Sequence, residues 1–337
     1  MTVPLSFSQI KEFKRCAYRY NARYNRGIER ISTRLAIAEG DFIHRLLRVL
    51  YAKENWRDVW ASIKDEYMDA ALFEEQAEEI TGLAERVFGI MERYEAQVYL
   101  PHDADLEILH LEEELPVSYR GVEFVIKPDL VIRDRQGNVW LRDHKTTRDF
   151  EDDIASRLRY DDQINLYLWG LRERGLNVLG ADHNLIRTRL PRKPDVTKKG
   201  LLSRQRITTD EQTVRAAVVE YRAQGIEISD EEVADYLATM KMSEFFKRVS
   251  TFRADEMLDR MIEEYFDTYL DIRHATERDR WTRTFISRDC PHCPMRDLCL
   301  AELQGADIES LMQTTYKLRG QDAPPRLMPE ELTDEVA

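Results

Sequence analysis

The architecture of this chain follows from the segment VEFVIKPDLVIRDRQGNVWLRDHKT, residues 122–146. Val122–Arg133 is rich in branched apolar residues and predicts one β-strand, and Val139–Thr146 predicts another. The sequence DRQGN between them consists of residues that favour turns. The segment therefore predicts a β-hairpin, preceded by a shorter strand over LPVSY, residues 115–119.

Two acidic residues are predicted to meet in this hairpin. Asp129 and Asp143 lie at equal distances from position 136 in the turn, so they come out near each other across the two strands. Asp143 and Lys145 are two residues apart and share a face, while the side chain of His144 points the opposite way. Neighbouring carboxylates need a cation or a lysine to neutralise them, and hard oxygen ligands suit Mg²⁺ or Mn²⁺. The alternative is an exposed hairpin whose charges face water; the apolar flanks LVI and VWL favour a site.

Helical periodicity surrounds the hairpin on both sides. The pattern predicts helices over 6–26, which includes Cys16, and over 35–53, 55–72 and 73–98. After the hairpin it predicts a helix over 155–174, a strand over 181–190 and a loop over 191–208. From Thr209 onward, capping signals predict helices, including one that starts at Ser250.

The composition limits the kind of protein this can be. Of the 337 residues 43% are hydrophobic, enough for a folded core, and the net charge is −13. An acidic total argues against a protein that coats DNA, but a local basic surface can still bind nucleic acid. The sequence has neither an apolar run long enough to cross a membrane nor a signal-peptide pattern, which predicts a cytoplasmic protein without membrane contact.

One loop reverses the acidic balance. Between residues 187 and 206 there are eight basic residues and one acid, Asp195. Such a run can follow a phosphate backbone, and the alternative is a solvated surface loop. The candidate DNA contacts are Arg187, Arg189, Arg192, Lys193, Lys198, Lys199, Arg204 and Arg206.

All four cysteines of the chain suit one metal site. Cys290, Cys293 and Cys299 stand within ten residues, and the fourth, Cys16, lies near the other end. In a reducing compartment, clustered thiols indicate metal ligands before disulfides, and the site would tie the two ends together. Zinc and an iron–sulfur cluster both use such ligands. The single remote fourth thiol favours the cluster over zinc, and four unrelated buried thiols are a third reading.

These motifs together resemble the PD-(D/E)-x-K nuclease superfamily, in its RecB-like branch. The order is Glu39-Gly40-Asp-Phe-Ile-His44, then Pro128-Asp129, then Asp143-His144-Lys145, then Gln163-Ile-Asn-Leu-Tyr167. The cysteines are similar to the iron–sulfur pattern of CRISPR-adaptation nucleases, AddB-type nuclease domains and phage exonucleases. The resemblance spans residues 6–300.

The resemblance implies a role for each matching residue. His44, Asp129, Asp143 and the backbone carbonyl of His144 would hold Mg²⁺ or Mn²⁺. Lys145 would orient or activate the attacking water and stabilise charge on the phosphate. Gln163 and Tyr167 would position DNA or Lys145. Four thiolates, from Cys16, Cys290, Cys293 and Cys299, would hold a 4Fe–4S cluster, with Zn²⁺ as the alternative.

The expected fold is a mixed α/β nuclease core whose helical N- and C-terminal parts join at the cluster. The expected division is 1–108 (helical, with Cys16 and His44), 109–190 (core sheet and helix), 191–289 (basic loop and helices), 290–300 (cysteine triplet) and 301–337 (acidic, partly disordered tail). The expected function is exonucleolytic cleavage of single-stranded or end-containing DNA in recombination, replication or repair, in a phage-like setting. A recombination or replication protein would be the partner. The alternatives are a structure-selective endonuclease and a non-catalytic DNA-binding subunit held together by the cluster.

Overall fold

The computed structural model of the chain describes residues 4–69, 74–319 and 326–328. The helices are α1 (Phe7–Arg15), α2 (Ala17–Tyr20), α3 (Leu35–Tyr51), α4 (Trp56–Asp69), α5 (Glu74–Tyr94), α6 (Ile154–Leu158), α7 (Asp162–Glu173), α8 (Glu211–Ala223), α9 (Asp230–Thr239), α10 (Asp255–Glu277), α11 (Arg296–Leu303) and α12 (Glu309–Thr314). Two π-helical stretches, Asn21–Asn25 and Glu95–Asp103, and a short 3₁₀ turn, Cys290–His292, complete the helical structure of the described residues.

The strands form a mixed α/β fold with the helices. They are β1 (Leu5–Ser6), β2 (Ile28–Arg30), β3 (Ser32–Arg34), β4 (Glu107–Leu111), β5 (Leu115–Tyr119), β6 (Val122–Ile126), β7 (Leu130–Arg133), β8 (Val139–Thr147), β9 (Val178–Arg187), β10 (Phe246–Thr251), β11 (Tyr316–Leu318) and β12 (Arg326–Met328). Five of them make the central sheet, in the order β10-β9-β8-β7-β4, and β1-β6-β5 make a smaller sheet. β8 and β9 are parallel, which requires the crossover supplied by α6 and α7.

The predicted long strand over Val122–Arg133 is in fact two strands. β6 pairs with β5 and β1 in the small sheet, whereas β7 pairs with β4 and β8 in the central sheet. The chain changes sheets between Ile126 and Leu130, where Pro128 lacks the N–H that a ladder requires. Asp129 therefore lies just before β7, at the point where the two sheets separate.

Three other predicted elements differ from the structure. Cys16 is not helical, because its extended backbone (φ −167°, ψ 114°) separates α1 from α2. The helix predicted over 155–174 breaks between α6 and α7, with Asp161 capping the second part and Gly175 (φ +83°) following its end. A strand, β10, occupies 246–251, so Ser250 starts no helix and the sheet draws on sequence beyond 190.

The two faces of the central sheet carry the two main cores. One contains apolar side chains of α1, α7 and α10 against Val131 and Leu141. The other contains those of α3, α4 and α5 against Leu130, Ile132 and Ile186. The strands are thus buried on both faces, which is typical of a sheet covered by helices on each side.

The start and the end of the described chain pack together. Tyr18, Ala22 and Ile28 form one small core with Met295, Leu298 and Tyr316. β11 pairs antiparallel with β2, and β12 pairs parallel with β3. Within the tail predicted to be partly disordered, 301–337, lie the end of α11, then α12, β11 and β12, and 320–325 and 329–337 lie outside the described residues. No described helix is both long and apolar enough to cross a membrane.

Candidate active site

The hairpin places Asp129 opposite Asp143. β7 and β8 pair Leu130 with Arg142, so the next step of the antiparallel register brings the two aspartates across from each other. The backbone N–H of His144 donates a hydrogen bond of 2.8 Å to Oδ2 of Asp129. Burial raises the pKa of Asp129 to about 6; the His44 ring opposes this rise, and the Asp143 carboxylate adds to it.

Asp143 is buried between two basic groups. Its Oδ2 atom lies 3.1 Å from Nζ of Lys145 and 3.6 Å from Nδ1 of His183. Burial alone would raise the pKa of Asp143, but His183 and Lys145 outweigh burial and lower it. His183 stands beside Asp143 because the parallel register of β8 and β9 pairs the two residues.

A third carboxylate, Asp161, holds the other side of the lysine. Its Oδ2 atom lies 3.2 Å from Nζ of Lys145. Burial would lower the pKa of Lys145, and the charges of Asp143 and Asp161 raise it above its ordinary value. Among the described residues, the three metal-type donors that lie within 4.8 Å of one another belong to Asp143, Asp161 and His183. The donor atoms of His44, Asp129 and Asp143 do not all lie within 4.8 Å of one another.

Sequence reasoning missed Asp161 and His183. Asp161 did have a local signal, because it is an Asp immediately before a helical segment, which is typical of an N-cap. His183 had none, since its position depends on pairing between two parallel strands far apart in sequence.

Helix α3 brings His44 to the hairpin. Nδ1 of His44 lies 3.7 Å from Oδ2 of Asp129, and its ring stands almost perpendicular to that of His144, with 6.0 Å between centroids. The helix approaches β8 closely at Gly40, where a Cβ atom would lie 3.1 Å from Oγ1 of Thr146. A side chain at position 40 would therefore require Thr146 to shift by a few tenths of an ångström.

Helix α7 supplies the last two predicted residues. Nε2 of Gln163 donates a hydrogen bond of 2.9 Å to the hydroxyl of Tyr167, one turn further along. Burial raises the pKa of Tyr167, and the nearby charges of Asp129 and Asp143 raise it further. The Tyr167 hydroxyl therefore stays protonated beside the two carboxylates.

Behind the hairpin, the His144 ring belongs to a buried polar network. Burial lowers its pKa well below the usual value, so the ring is neutral, and its Nδ1 lies 2.8 Å from the amide nitrogen of Asn184. That amide also donates to Tyr94, whose hydroxyl lies 2.7 Å from the hydroxyl of Tyr51. The Tyr51 ring stacks on His144 at 5.5 Å.

The same network ends at a fully buried carboxylate. The Tyr51 hydroxyl donates to Asp103 at 2.6 Å. Asp103 also neutralises Arg142, at 3.1 Å, and Arg248. These contacts support the backbone at His144 from behind with a connected polar layer, in which Nε of Arg142 has no hydrogen-bond partner among the described residues.

A cavity of about 580 Å³ opens beside Lys145. Lys11 and Lys14 of α1 line one part of it, and Tyr160 and Gln163 line another. The Tyr160 side chain is 86% exposed. Within the described part of the chain, Lys11 forms no ion pair, so it presents a free positive charge to the cavity.

The basic loop is partly neutralised by the protein itself. Arg187 and Arg189 each lie 3.3 Å from Asp149, and Lys193 lies 2.8 Å from Glu220. Arg204 pairs with Glu232 and Asp235. Of the eight candidates, those without an ion pair to any described residue are Arg192, Lys198, Lys199 and Arg206.

The four cysteines line one cavity of about 400 Å³. No three of their sulfur atoms, all in the described part of the chain, lie within 4.8 Å of one another. Burial raises the pKa of the Cys293 and Cys299 thiols. Ile286 donates its backbone N–H to the sulfur of Cys290 at 3.4 Å.

The chain has been compared with known structures and curated proteins. A crystal structure described as “Putative exonuclease”, from Eubacterium rectale, is 11% identical, covers 86% of this chain and 87% of its own, and has a TM-score of 0.48. The crystal structure of a protein named SSO0001 is 13% identical, covers 71% and 80%, and has a TM-score of 0.29. No curated protein matches the chain.

A family model gives the decisive comparison. It describes the PD-(D/E)XK nuclease superfamily and matches residues 4–300, which include the hairpin, α3, α7 and the cysteine triplet. The sequence resemblance to that superfamily is thereby confirmed at the level of the superfamily. This chain belongs to the PD-(D/E)XK nuclease superfamily.

Proposed function

We propose that the protein is a divalent-metal-dependent deoxyribonuclease that acts as an exonuclease on single-stranded DNA or duplex ends. The observation that carries this proposal is the convergence of Asp129, Asp143 and Lys145 where β7 and β8 meet. A buried and a half-buried carboxylate beside a lysine are a costly arrangement for a protein that only binds DNA. It suits the hydrolysis of a phosphodiester, where negative charge increases in the transition state.

The residues present fit a hard cation. Burial and the neighbouring Asp143 charge both raise the pKa of Asp129. In the metal-free protein the negative charge of this carboxylate is therefore not fully neutralised by its neighbours. His44, Asp129, Asp143 and the backbone carbonyl of His144 would hold Mg²⁺ or Mn²⁺. When bound, such a cation polarises the phosphate and makes a water more acidic.

The protein's own groups then complete the site. Lys145 carries its charge at pH 7, because two carboxylates raise its pKa, and it can orient the attacking water and stabilise the phosphate oxygens. Gln163 and Tyr167 form a hydrogen-bonded pair on the same side and would position the DNA or Lys145. The amide of His144 fixes the orientation of the Asp129 carboxylate.

The cavity beside Lys145 supports a single-stranded substrate. The exposed Tyr160 ring on its wall offers a stacking surface to an unpaired base, and Lys11, which pairs with no described acid, offers charge to phosphates. In the basic loop, Arg192, Lys198, Lys199 and Arg206 are the better candidates for further phosphate contacts, because the other four are already paired within the protein.

We propose that Cys16, Cys290, Cys293 and Cys299 hold a 4Fe–4S cluster that stabilises the junction of the two ends. Zn–S bonds of about 2.3 Å in a tetrahedron would bring the sulfur atoms to about 3.8 Å from one another. The wider spacing of the sulfurs and the size of the cavity favour a cluster over zinc. A role in recombination, replication or repair, in the cytoplasm of a bacterial or phage-infected cell, is consistent with this chemistry.

Cleavage assays test the function. Linear and circular single-stranded DNA and linear duplex DNA are incubated with Mg²⁺, Mn²⁺ or EDTA, with the Asp143→Ala variant as control. We expect degradation of linear single strands that requires the metal and Asp143. Cleavage of circles would make the protein an endonuclease, and no cleavage under any condition would leave only a DNA-binding role. Iron and sulfide content, measured on anaerobically purified protein, tests the cluster.

A further inference from the structure

Asp161 uses its two oxygen atoms for two different contacts. Oδ1 accepts a hydrogen bond of 3.3 Å from the backbone N–H of Gln163, which caps the first turn of α7. Oδ2 lies 3.2 Å from the ammonium nitrogen of Lys145. The same carboxylate thus joins the start of the helix that carries Gln163 and Tyr167 to the lysine of the hairpin.

The ammonium of Lys145 sits between two carboxylates, 3.1 Å from Oδ2 of Asp143 and 3.2 Å from Oδ2 of Asp161. Asp143, Asp161 and His183 by themselves form a donor group of the kind that could hold a cation. Lys145 already supplies that cation, and a metal ion beside it would meet a like charge. This corner of the site is therefore a binding place for the lysine and not a second metal site.

Asp143 and Asp161 differ in whether they also bind the proposed metal ion. In the proposed function, on which this inference rests, Asp143 also contributes an oxygen to the divalent cation. Once Asp143 binds the cation, part of its negative charge is neutralised, so it attracts the Lys145 ammonium less strongly. The cation would also repel the ammonium directly. Asp161 has no such second duty, and its side chain is only 19% exposed, so its attraction is little screened.

We infer that Asp161 is a positioning residue, which keeps the Lys145 ammonium at the reaction centre once Asp143 is engaged with the metal. The competing explanation is that Asp161 only caps α7. Side chains that cap helices equally well but differ in charge and length separate the two. Asn keeps the cap and the shape without the charge, Ser keeps the cap but is too short to reach Lys145, and Ala keeps neither.

The experiment compares Asp161→Asn, Asp161→Ser and Asp161→Ala with the wild type. For each protein, kcat and KM are measured on linear single-stranded DNA at saturating Mg²⁺, and the unfolding midpoint and Mn²⁺ affinity are measured without DNA. We expect kcat to fall about 10- to 100-fold in all three, as for other residues that support a catalytic group. KM should stay level or fall, since a carboxylate that repels phosphate has been removed, and only the Ala variant should unfold earlier. Mn²⁺ affinity should not change.

Two results would overturn this role. Wild-type kcat in the Asn and Ser variants, with a loss only in the Ala variant, would leave Asp161 as a helix cap. A loss of Mn²⁺ affinity in all three would make it a metal ligand. A wild-type protein that cleaves no DNA would instead overturn the proposed function, and the role of Asp161 with it.

Discussion

The backbone amide of His144 donates a 2.8 Å hydrogen bond to the Asp129 carboxylate, across the join between the two strands of the hairpin. Through this contact, β8, the strand that carries Asp143, fixes the orientation of the Asp129 side chain. It also partly offsets the effect of burial, which raises the pKa of Asp129 to about 6. The carboxylate is therefore held in one orientation while remaining costly to ionise.

Asp129→Asn should stabilise the metal-free protein while abolishing cleavage. The folded-state pKa of about 6 exceeds the unfolded value of 3.8, so stability is lost as pH rises between these values. At pH 8 the wild type should therefore be about 3 kcal/mol less stable than it would be with Asp129 uncharged, and the Asn variant should not suffer this loss. An amide oxygen at position 129 can still accept the His144 hydrogen bond. Urea unfolding in EDTA at pH 8 measures the effect; an equal or lower midpoint in the variant would contradict it.

Metal binding should weaken in acid for the same reason. A proton and a cation compete for Asp129, so affinity should be constant above pH 7 and fall about tenfold per pH unit below 6. Mn²⁺ binding followed by electron paramagnetic resonance between pH 5 and 8 measures this dependence. An affinity that does not change across this range would show that Asp129 is not a ligand.

The two proposed metal sites should fail independently of each other. Cys293→Ser should release iron and lower the unfolding temperature, because Cys293 packs against the small core that joins the ends and is a proposed ligand of the cluster. Asp143→Ala should abolish cleavage yet keep the iron content and the brown colour. Iron analysis, circular dichroism and the cleavage assay are run on both variants. Full iron retention in Cys293→Ser, or loss of colour in Asp143→Ala, would refute the separation of the sites.

Asp103→Asn should be strongly destabilising. Asp103 is fully buried and neutralises Arg142 and Arg248, so its loss leaves the buried Arg142 with Asp182, 3.4 Å away, as its remaining acidic partner among the described residues. Breaking such a pair costs about 3–5 kcal/mol. Asp105→Asn is the matched control, since Asp105 pairs with Arg135 at an exposed position and its loss should not measurably change the denaturation midpoint. Equal effects of the two changes would count against the network.

Tyr160→Ala should weaken binding of single-stranded DNA. If the exposed ring stacks on a base, its removal should raise KM about 5- to 100-fold with little change in kcat. Tyr160→Phe keeps the ring and should behave like the wild type. An oligonucleotide with abasic positions removes the partner base, so the Ala penalty should disappear on that substrate. A penalty that persists there would mean that Tyr160 makes no stacking contact.

The features that sequence could predict are the local ones. The turn at 134–138 and the apolar alternation around it locate the hairpin, and equal spacing from the turn predicts that Asp129 and Asp143 meet. The helical spacing of Gln163 and Tyr167 likewise predicts their contact, and the structure has it. Each of these relations depends on geometry within one element or one hairpin.

The features that sequence missed depend on distant segments. The capping pattern at Ser250 predicts the start of a helix, whereas pairing with β9 makes Phe246–Thr251 a strand. His183 and Asn184 acquire their neighbours through the parallel register with β8. The missing N–H of Pro128 predicts a break in the strand. That the chain then moves from the small sheet to the central sheet depends on pairing with distant strands.

The antiparallel pairing of β2 with β11 has a consequence for how the protein is made. The residues of β2 leave the ribosome long before their partners in β11. At 5–20 residues per second, that delay is roughly 15 to 60 s. During this time the apolar side chains of Tyr18 and Ile28 lack their final neighbours, and a nascent chain interrupted before residue 316 never acquires them. Biosynthesis of this nuclease should therefore depend on chaperones that shield the emerging segment, and the β2–β11 pairing should form only after β11 has left the ribosome.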